Sequence, residues 1–222
     1  MSLTCAFGVL PSRCLDANFV SVSGESKQII GLYQRHAGAW DRARAPGSLF
    51  EKPWLDQFLA LAPLGGTILD LGCGAGLPIA GYFISQGYGV TGVDTSEPLL
   101  ALSRSRYPAQ EWIAADMRTL DLDRSFAGII AWDSFFHLTP DDQQAMFPVF
   151  ARHAGPRAPL MFTSGPQHGS VLGEMEGEPL YHGSLDPEEY RSLLEETGFE
   201  LVDNVFADPT CAGHAVWLAR AA

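Results

Sequence analysis

The sequence has few basic residues and no cluster of them. Its 222 residues include 14 Lys and Arg against 26 Asp and Glu, which gives a formal net charge of -12. The basic residues are spread thinly, so no basic stripe is available to follow a phosphate backbone. The charge balance therefore weighs against a nucleic-acid partner.

Long apolar runs and paired cysteines are also missing. No stretch approaches the ~20 apolar residues that a membrane helix needs, and the mildly apolar residues 3–10 follow no basic segment. The cysteines form no C-x-x-C pair and have no metal-ligand spacing; they are Cys5, Cys14, Cys73 and Cys211. We therefore expect a cytoplasmic protein with reduced thiols, no bound metal and no membrane partner.

What is present is an alternation of strand-like and helix-like segments from residue 67 onward. Apolar runs such as TILDL, GVTGVD and PLMFTS are typical of buried strands. Strands that alternate with helices over short connections indicate a mostly parallel sheet covered on both faces. The last two strands, joined through Pro209 and Gly213, predict an antiparallel hairpin at one edge. The fold class is thus α/β, with a Rossmann-like doubly wound sheet of seven strands.

The residues before this alternation predict a helical cap. Apolar residues recur at helical spacing over Lys27–Trp40 and again over Ser48–Leu61. The connection that follows the fifth strand is long and rich in glycine, so we expect it to form part of a lid. We expect one domain over residues 27–222, divided into a cap over 27–62 and a core over 63–222 with a lid insertion over 165–185, preceded by an arm over 1–26.

Local signals predict where several helices begin and end. Ser96 precedes a helical segment and suits an N-cap, and so does Thr139 before Pro140. Asp186 and Glu189 have the spacing of a capping box. Pro148 lies inside a helical segment and predicts a kink or break there.

The stretch LDLGCGAGLP, residues 69–78, follows a strand and precedes a helix. Ligands of doubly wound sheets bind beyond the carboxyl ends of the strands, which is where this stretch lies. Gly72 and Gly74 would let the backbone turn sharply and approach a ligand closely. We therefore expect a ligand site at this loop.

The type of ligand follows from the spacing and from nearby acidic residues. The glycines have the spacing G-x-G-x-G, with Gly76 as the third, whereas a dinucleotide site requires G-x-G-x-x-G. Acidic residues end the strands that surround the loop: Asp70, Asp94, Asp116 and Asp133. Carboxylates there would repel a phosphate and suit a cation that carries free hydroxyl groups.

ILDLGCGAG followed by VTGVDTS resembles the first two motifs of the class I S-adenosylmethionine-dependent methyltransferases. AADM and IIAWDSFFHL resemble later motifs, and the resemblance covers about residues 67–220. It implies S-adenosylmethionine as cofactor and S-adenosylhomocysteine as product. It also implies that Asp94 accepts hydrogen bonds from both ribose hydroxyls, that Asp116 lies near the adenine amino group and that Met117 packs on the adenine ring.

Candidate site residues follow from this resemblance and from the neighbouring aromatic and titratable residues. Asp133 would touch the amino group of the cofactor or the acceptor, and His137 would be the base unless it is a packed core residue. Cys73 needs no chemical role. The cofactor-binding candidates are Tyr33, Trp40, Asp70, Gly72, Gly74, Gly76, Asp94, Thr95, Asp116, Met117, Trp132 and Asp133.

The resemblance implies in-line transfer of a methyl group to an acceptor, and three other functions stay open. The family's enzymes that methylate DNA bases carry Asn/Asp-Pro-Pro-Tyr/Phe where this chain has WDSFFHL, so we expect a small-molecule acceptor. The alternatives are a non-catalytic protein that binds S-adenosylmethionine, an NAD-dependent oxidoreductase and an aminopropyl transferase. The misplaced third glycine and the lack of a Tyr-x-x-x-Lys pair disfavour the oxidoreductase.

Overall fold

The computed structural model describes residues 24–44, 49–209 and 213–222. The predicted arm lies outside these residues except for its last three, and so do Cys5, Cys14 and Cys211. The helices are α1 (Ile29–Arg35), α2 (Ala37–Arg44), α3 (Lys52–Leu61), α4 (Ile79–Ser85), α5 (Glu97–Arg106), α6 (Pro140–His153) and α7 (Pro187–Glu196). The strands are β1 (Thr67–Leu71), β2 (Gly89–Asp94), β3 (Glu111–Ala114), β4 (Gly128–Ala131), β5 (Pro159–Ser164), β6 (Gly169–Met175), β7 (Glu178–Ser184), β8 (Phe199–Val205) and β9 (Ala215–Ala221).

Seven of the strands form one sheet, in the order β3-β2-β1-β4-β5-β9-β8. Neighbouring strands from β3 to β5 pair in parallel. β9 pairs antiparallel with both β5 and β8. The predicted fold class, a doubly wound α/β sheet of seven strands with an antiparallel C-terminal edge, is confirmed.

Two apolar layers cover the two faces of the sheet. β4 and β5 are buried at every position, which explains why apolar residues follow one another in GIIA and PLMF instead of alternating with polar ones. On one face Phe135, Phe147 and Phe162 belong to a single buried cluster. On the other face the rings of Phe58 and Phe83 stack 5.5 Å apart. The carboxyl ends of the parallel strands lie together at one edge of this core.

The cap helix predicted over Lys27–Trp40 is not continuous. A 3-10 turn, Ser26–Gln28, leads into α1, and the helix is interrupted at His36 before α2 begins. His36 has φ -104° and ψ 15°, outside the helical region. Its side chain is held instead by Glu178, so a tertiary contact overrides the helical pattern of the sequence.

The helix-end predictions have mixed outcomes. The capping box of Asp186 and Glu189 is confirmed, and so is the cap by Thr139. Ser96 precedes α5 but makes no side-chain cap, because its hydroxyl donates to the carbonyl of Tyr33 in α1. Pro148 was predicted to cause a kink or a break; the break does not occur, because α6 runs through Pro148 to residue 153, and the kink stays a prediction. Pro148 is exposed, so water can bond the carbonyl that the proline leaves without a donor.

The long connection after β5 contains regular structure that the sequence reading did not predict. β6 and β7 form an antiparallel hairpin closed by Glu176 and Gly177. Both residues have positive φ, 52° and 82°, as a two-residue hairpin turn of type I′ requires. The Glu-Gly pair between two strand-like runs was the available signal. None of the helices in the described ranges is long and apolar enough to cross a membrane.

Candidate functional site

The glycine loop directly follows β1. β1 lies between β2 and β4, at the point where the strand order of the sheet reverses. Gly72 has φ 78°, and a Cβ atom there would lie 2.2 Å from Cβ of Ser134. The backbone N–H groups of Gly72 and Cys73 both donate to the carbonyl of Val93, at 2.7 and 3.1 Å. The loop is thus pressed against the ends of β2 and β4, and only glycine fits at position 72.

A cleft of about 450 Å³ opens beyond these strand ends, beneath α1 and α2. It brings together ten of the predicted site residues: Tyr33, Trp40, Gly72, Gly74, Asp94, Thr95, Asp116, Met117, Asp133 and His137. A smaller pocket of about 40 Å³ adjoins it and is lined in part by Asp70 and Trp132. Gly76 lines neither space; it faces Trp112 and Ser103 instead and serves helix packing.

Asp94, at the end of β2, is anchored in the cleft by backbone groups. One oxygen accepts from the N–H of Gly74 at 2.9 Å and the other from the N–H of Ser96 at 2.8 Å. Burial nevertheless raises the pKa of the Asp94 carboxyl above its ordinary value. The two backbone bonds fix its orientation, and each oxygen keeps a lone pair for a further donor.

Asp116 lines the cleft and is paired with a basic side chain. The guanidinium of Arg118 donates to it at 2.6 Å and also lies 3.1 Å from Asp142. Hydrogen bonding from Arg118 lowers the pKa of the Asp116 carboxyl. Met117 also lines the cleft.

The small pocket contains groups suited to both charges of an amino acid. Arg44 is buried and pairs with the buried Glu51. Burial, together with the charge of Asp94, raises the pKa of the Asp70 carboxyl to about 7. Nε1 of Trp132 is buried and has no hydrogen-bond partner among the described residues. An indole N–H without a partner is a donor available for a ligand.

Asp133 lies between the cleft and the small pocket and lines both. Its backbone is in the left-handed region, at φ 51°, and its N–H donates to the hydroxyl of Thr163 at 3.0 Å. Oδ2 of Asp133 is 3.9 Å from Arg44. Oδ1 lies 3.2 Å from Nε2 of His214, but it is buried and accepts no hydrogen bond from any described residue. Backbone strain of this kind is commonly retained at functional sites.

Tyr33 and His137 form a buried hydrogen-bonded pair. The carbonyl of Tyr181 lies 2.8 Å from Nδ1 of His137 and can only accept, so Nδ1 carries the proton. Nε2 then accepts from the hydroxyl of Tyr33, also at 2.8 Å. Burial lowers the pKa of His137 to about 3 and raises the pKa of Tyr33. Both side chains are therefore uncharged near neutral pH.

Several residues of the site were missed by the sequence reading. Lys27 and Ser134 line the cleft, Arg44 lines the small pocket, and His214 contacts Asp133. No local pattern marks Arg44 or His214, because they are far from Asp133 in sequence and meet it only through tertiary packing. The described residues contain no cluster of three or more ligating side chains that could hold a metal ion. Burial raises the pKa of the Cys73 thiol, which disfavours the nucleophilic thiolate.

Comparisons with known proteins agree with this architecture. A family model described as "Methyltransferase domain" matches residues 68–157. A protein of Bacillus subtilis (strain 168) named YqeM, a proposed methyltransferase, is 32% identical over 139 residues, which are 59% of this chain and 54% of YqeM. An O-methyltransferase of Pyrenophora dematioidea is 26% identical over 187 residues, 77% of this chain and 69% of that protein. The matched part of the chain thus spans about half the length of YqeM.

Solved structures share the fold at low sequence identity. The CcbJ methyltransferase from Streptomyces caelestis has a TM-score of 0.67 and 21% identity, covering 87% of this chain and 98% of that one. CalS10, an amino pentose methyltransferase from Micromonospora echinaspora solved with S-adenosylmethionine, has a TM-score of 0.63 and 20% identity, covering 80% and 93%. The matching domain and the shared fold together confirm that the chain resembles the class I S-adenosylmethionine-dependent methyltransferases.

Proposed function

We propose that this protein transfers the methyl group of S-adenosylmethionine to a small-molecule acceptor. The observation that carries the proposal is Asp94, whose carboxylate is held by two backbone N–H groups at the mouth of a glycine loop. A carboxylate fixed in this way can accept from two adjacent hydroxyl groups, as a ribose presents them. Gly72 and Gly74 line the cleft beside it and present no side chain to a ligand.

The residues at both ends of the cleft fit the rest of this cofactor. Leu99, Ala115 and Met117 supply an apolar lining on one side of Asp94, which suits the adenine ring. On the other side the small pocket offers Arg44 and the unpartnered Nε1 of Trp132 for a carboxylate, and Asp70 for an ammonium group. The donor set therefore matches a nucleoside joined to an amino acid.

The charges of the cleft favour a cationic ligand. Its lining contains four aspartates but only Lys27 and Arg118 as basic side chains. A sulfonium and an ammonium group would gain attraction there, whereas the pyrophosphate of NAD would be repelled. The NAD-dependent alternative is thus disfavoured by electrostatics as well as by the glycine spacing.

When bound, S-adenosylmethionine supplies a methyl group that its sulfonium has already activated. The chain's own task is to align the reacting groups and to exclude water. Tyr33 and Trp40 cover the cleft from α1 and α2, with their rings 5.4 Å apart in an edge-to-face contact. Asp133 lies where the cleft meets the amino-acid pocket, beside the expected position of the sulfonium.

A small-molecule acceptor is favoured by charge and by the relatives. The net charge of -12 opposes binding to nucleic acid. The CalS10 and CcbJ structures show the fold alone, but CalS10 is described as acting on an amino pentose, which is a small molecule. For this chain we propose only that the acceptor is also a small molecule, and not that it is the same compound.

Calorimetry tests the cofactor assignment. We expect S-adenosylmethionine and S-adenosylhomocysteine to bind the wild type in the micromolar range, about -8 kcal/mol, and NAD not to bind. Asp94→Ala should abolish binding, whereas Asp203→Ala, at an exposed position on β8, should leave it unchanged. Equal affinity of the Asp94 variant and the wild type would contradict the ribose assignment.

A screen for methyl transfer separates an enzyme from a non-catalytic binding protein. The protein is incubated with cofactor labelled in the methyl group and a metabolite extract, and label is sought on any acceptor. We expect reproducible label with the wild type and none with Asp94→Ala. Cofactor binding without any labelled product would favour the non-catalytic alternative.

A further inference from the structure

The carboxylate of Asp116, which the resemblance places near the adenine amino group, is already bonded by Arg118. Oδ1 accepts from the backbone N–H and from Nε of Arg118, both at 3.0 Å. Oδ2 accepts from Nη2 at 2.6 Å and from Nε at 3.1 Å. A carboxylate has about four lone-pair sites, and these four contacts, with Nε shared between the two oxygens, take them up. Asp116 therefore has no site left for a donor on a base.

Two further features of the chain hold this arrangement in place. Asp116 is the N-cap of a 3-10 turn, Met117–Thr119, so the backbone fixes its carboxylate as well. The guanidinium of Arg118 also reaches the beginning of α6, where Nη1 donates to Oδ2 of Asp142 at 3.1 Å. A bidentate contact between a guanidinium and a carboxylate is geometrically specific. Arg118 is thus fixed between two carboxylates from different elements.

These three charged residues line the cleft beside the apolar surface that we propose for adenine. Asp116, Arg118 and Asp142 all belong to the cleft lining, as do Ala115 and Met117 on either side of Asp116 in the chain. The base of the cofactor would therefore lie next to the Asp116–Arg118 pair, and this step rests on the proposed function. The guanidinium has N–H donors only, and the amino group of adenine is also a donor. The pair offers that amino group no acceptor.

The amino group of adenine is a weak competitor for the carboxylate of Asp116. Arg118 brings three N–H groups and a full positive charge to that carboxylate. The amino group would bring one N–H and no charge, so the exchange would replace an ion pair by a single hydrogen bond. Arg118 therefore keeps its place when the base binds.

We infer that Arg118 keeps Asp116 from bonding the adenine amino group, so that the cleft does not select the cofactor by that group. Recognition then depends on the ribose at Asp94 and on the amino acid in the small pocket. The base is held by apolar contact with Leu99, Ala115 and Met117, which a purine ring of the same size satisfies with or without the amino group. The site therefore takes nucleosides whose purine lacks the 6-amino group.

Calorimetry with two ligands tests the inference without an acceptor. One ligand is S-adenosylhomocysteine, and the other is its 6-deamino analogue, in which hydrogen replaces the amino group and the rest of the ring is unchanged. We expect the dissociation constant of the analogue to lie within threefold of that of S-adenosylhomocysteine. A hydrogen bond to an ionised carboxylate would make the analogue about tenfold weaker or more. A loss of more than threefold in the wild type would overturn the inference.

Three variants test whether Arg118 is the residue responsible. Arg118→Met frees the carboxylate of Asp116, so the ratio of the two dissociation constants should rise to about tenfold. Arg118→Met combined with Asp116→Ala should return the ratio to the wild-type value. Arg152→Met removes a comparable exposed ion pair, with Asp121, and should leave the ratio unchanged. A change in the local fold alone would weaken both ligands equally, so an unchanged ratio in Arg118→Met would overturn the role of Arg118.

The two ligands also separate failure of this inference from failure of the proposed function. If the wild type binds neither S-adenosylhomocysteine nor the analogue, the proposed function is wrong. If it binds S-adenosylhomocysteine and rejects the analogue, the cofactor assignment stands and only the inference about Arg118 is wrong.

Discussion

Asp70 should make the free protein less stable as the pH rises, and Asp70→Asn should remove that effect. The side chain is 4% exposed in the middle of the sheet. Burial first, and the neighbouring charge of Asp94 second, raise the pKa of its carboxyl from 3.8 to about 7. Asparagine has nearly the same shape but no charge to desolvate.

The size of the effect follows from the two pKa values. Below pH 3.8 both the folded and the unfolded chain hold the proton, so the group's contribution is fully present. Between that pH and about 7 the unfolded chain releases the proton while the folded chain keeps it. The free energy of unfolding therefore falls as pH rises, by about 1.4 kcal/mol per pH unit and about 4 kcal/mol over the whole window.

Urea unfolding followed by tryptophan fluorescence measures this difference. We expect Asp70→Asn to match the wild type near pH 4 and to exceed it by up to about 4 kcal/mol at pH 8. Asp203→Asn, exposed on β8, should not change the pH dependence. The same slope in the wild type and in Asp70→Asn between pH 4 and pH 8 would refute the reasoning.

The same substitution should weaken cofactor binding while it stabilises the free protein. If Asp70 receives the ammonium of S-adenosylmethionine, Asp70→Asn should lose about tenfold in affinity, or about 1.4 kcal/mol. Binding near pH 7 should also release a proton from Asp70, because a nearby positive charge favours its ionised form. Calorimetry in two buffers of different ionisation enthalpy measures that release. If Asp70→Asn is more stable than the wild type and binds S-adenosylmethionine with the same affinity, Asp70 is excluded from the ammonium site.

Two further substitutions test the glycine loop and the residues that cover the cleft. Gly65→Ala should lower the free energy of unfolding in urea by about 1–2 kcal/mol, because of its positive φ alone. Gly72→Ala should lower it by more, since the new Cβ displaces Ser134, and should also weaken cofactor binding. Equal losses of stability in the two variants would contradict the predicted collision. Glu178→Gln removes the ion pairs of the β6–β7 hairpin with Arg35 and His36, at the end of α1. It should speed dissociation of S-adenosylhomocysteine several-fold in stopped-flow fluorescence, whereas Glu174→Gln, at an exposed position, should not. Identical rates would show that the hairpin does not hold Tyr33 and Trp40 over the cleft.

The sequence is sufficient for the features that depend on local chemistry. β1, the turn at Gly72 and the carboxylate of Asp94 lie within one strand–loop–helix–strand unit, whose buried runs and glycines have characteristic spacing. Strand order follows, because short connections and right-handed crossovers leave few alternatives. The capping box at Asp186 is equally local.

Side-chain roles that depend on contacts between distant segments could not be predicted. His137 has the local setting of a base, at the end of a strand beside the cleft. Only the packed structure shows that Tyr33, 104 residues earlier, and the carbonyl of Tyr181, 44 residues later, use both of its nitrogens. The approach of His214 to Asp133 has no local signal either, because 81 residues separate them and only tertiary packing brings them together.

The interruption at His36 explains how a short cap can serve both ends of the cleft. A straight helix would separate Tyr33 from Arg44 by about 16 Å along its axis, since each residue adds 1.5 Å. In the structure the Tyr33 hydroxyl of α1 lies 2.8 Å from Nε2 of His137, and Arg44 at the end of α2 lies 3.9 Å from Oδ2 of Asp133. The bonds of Glu178 to the end of α1 hold the chain at that turn. A pattern of apolar residues cannot reveal the turn, because both helices keep the same spacing on either side of it.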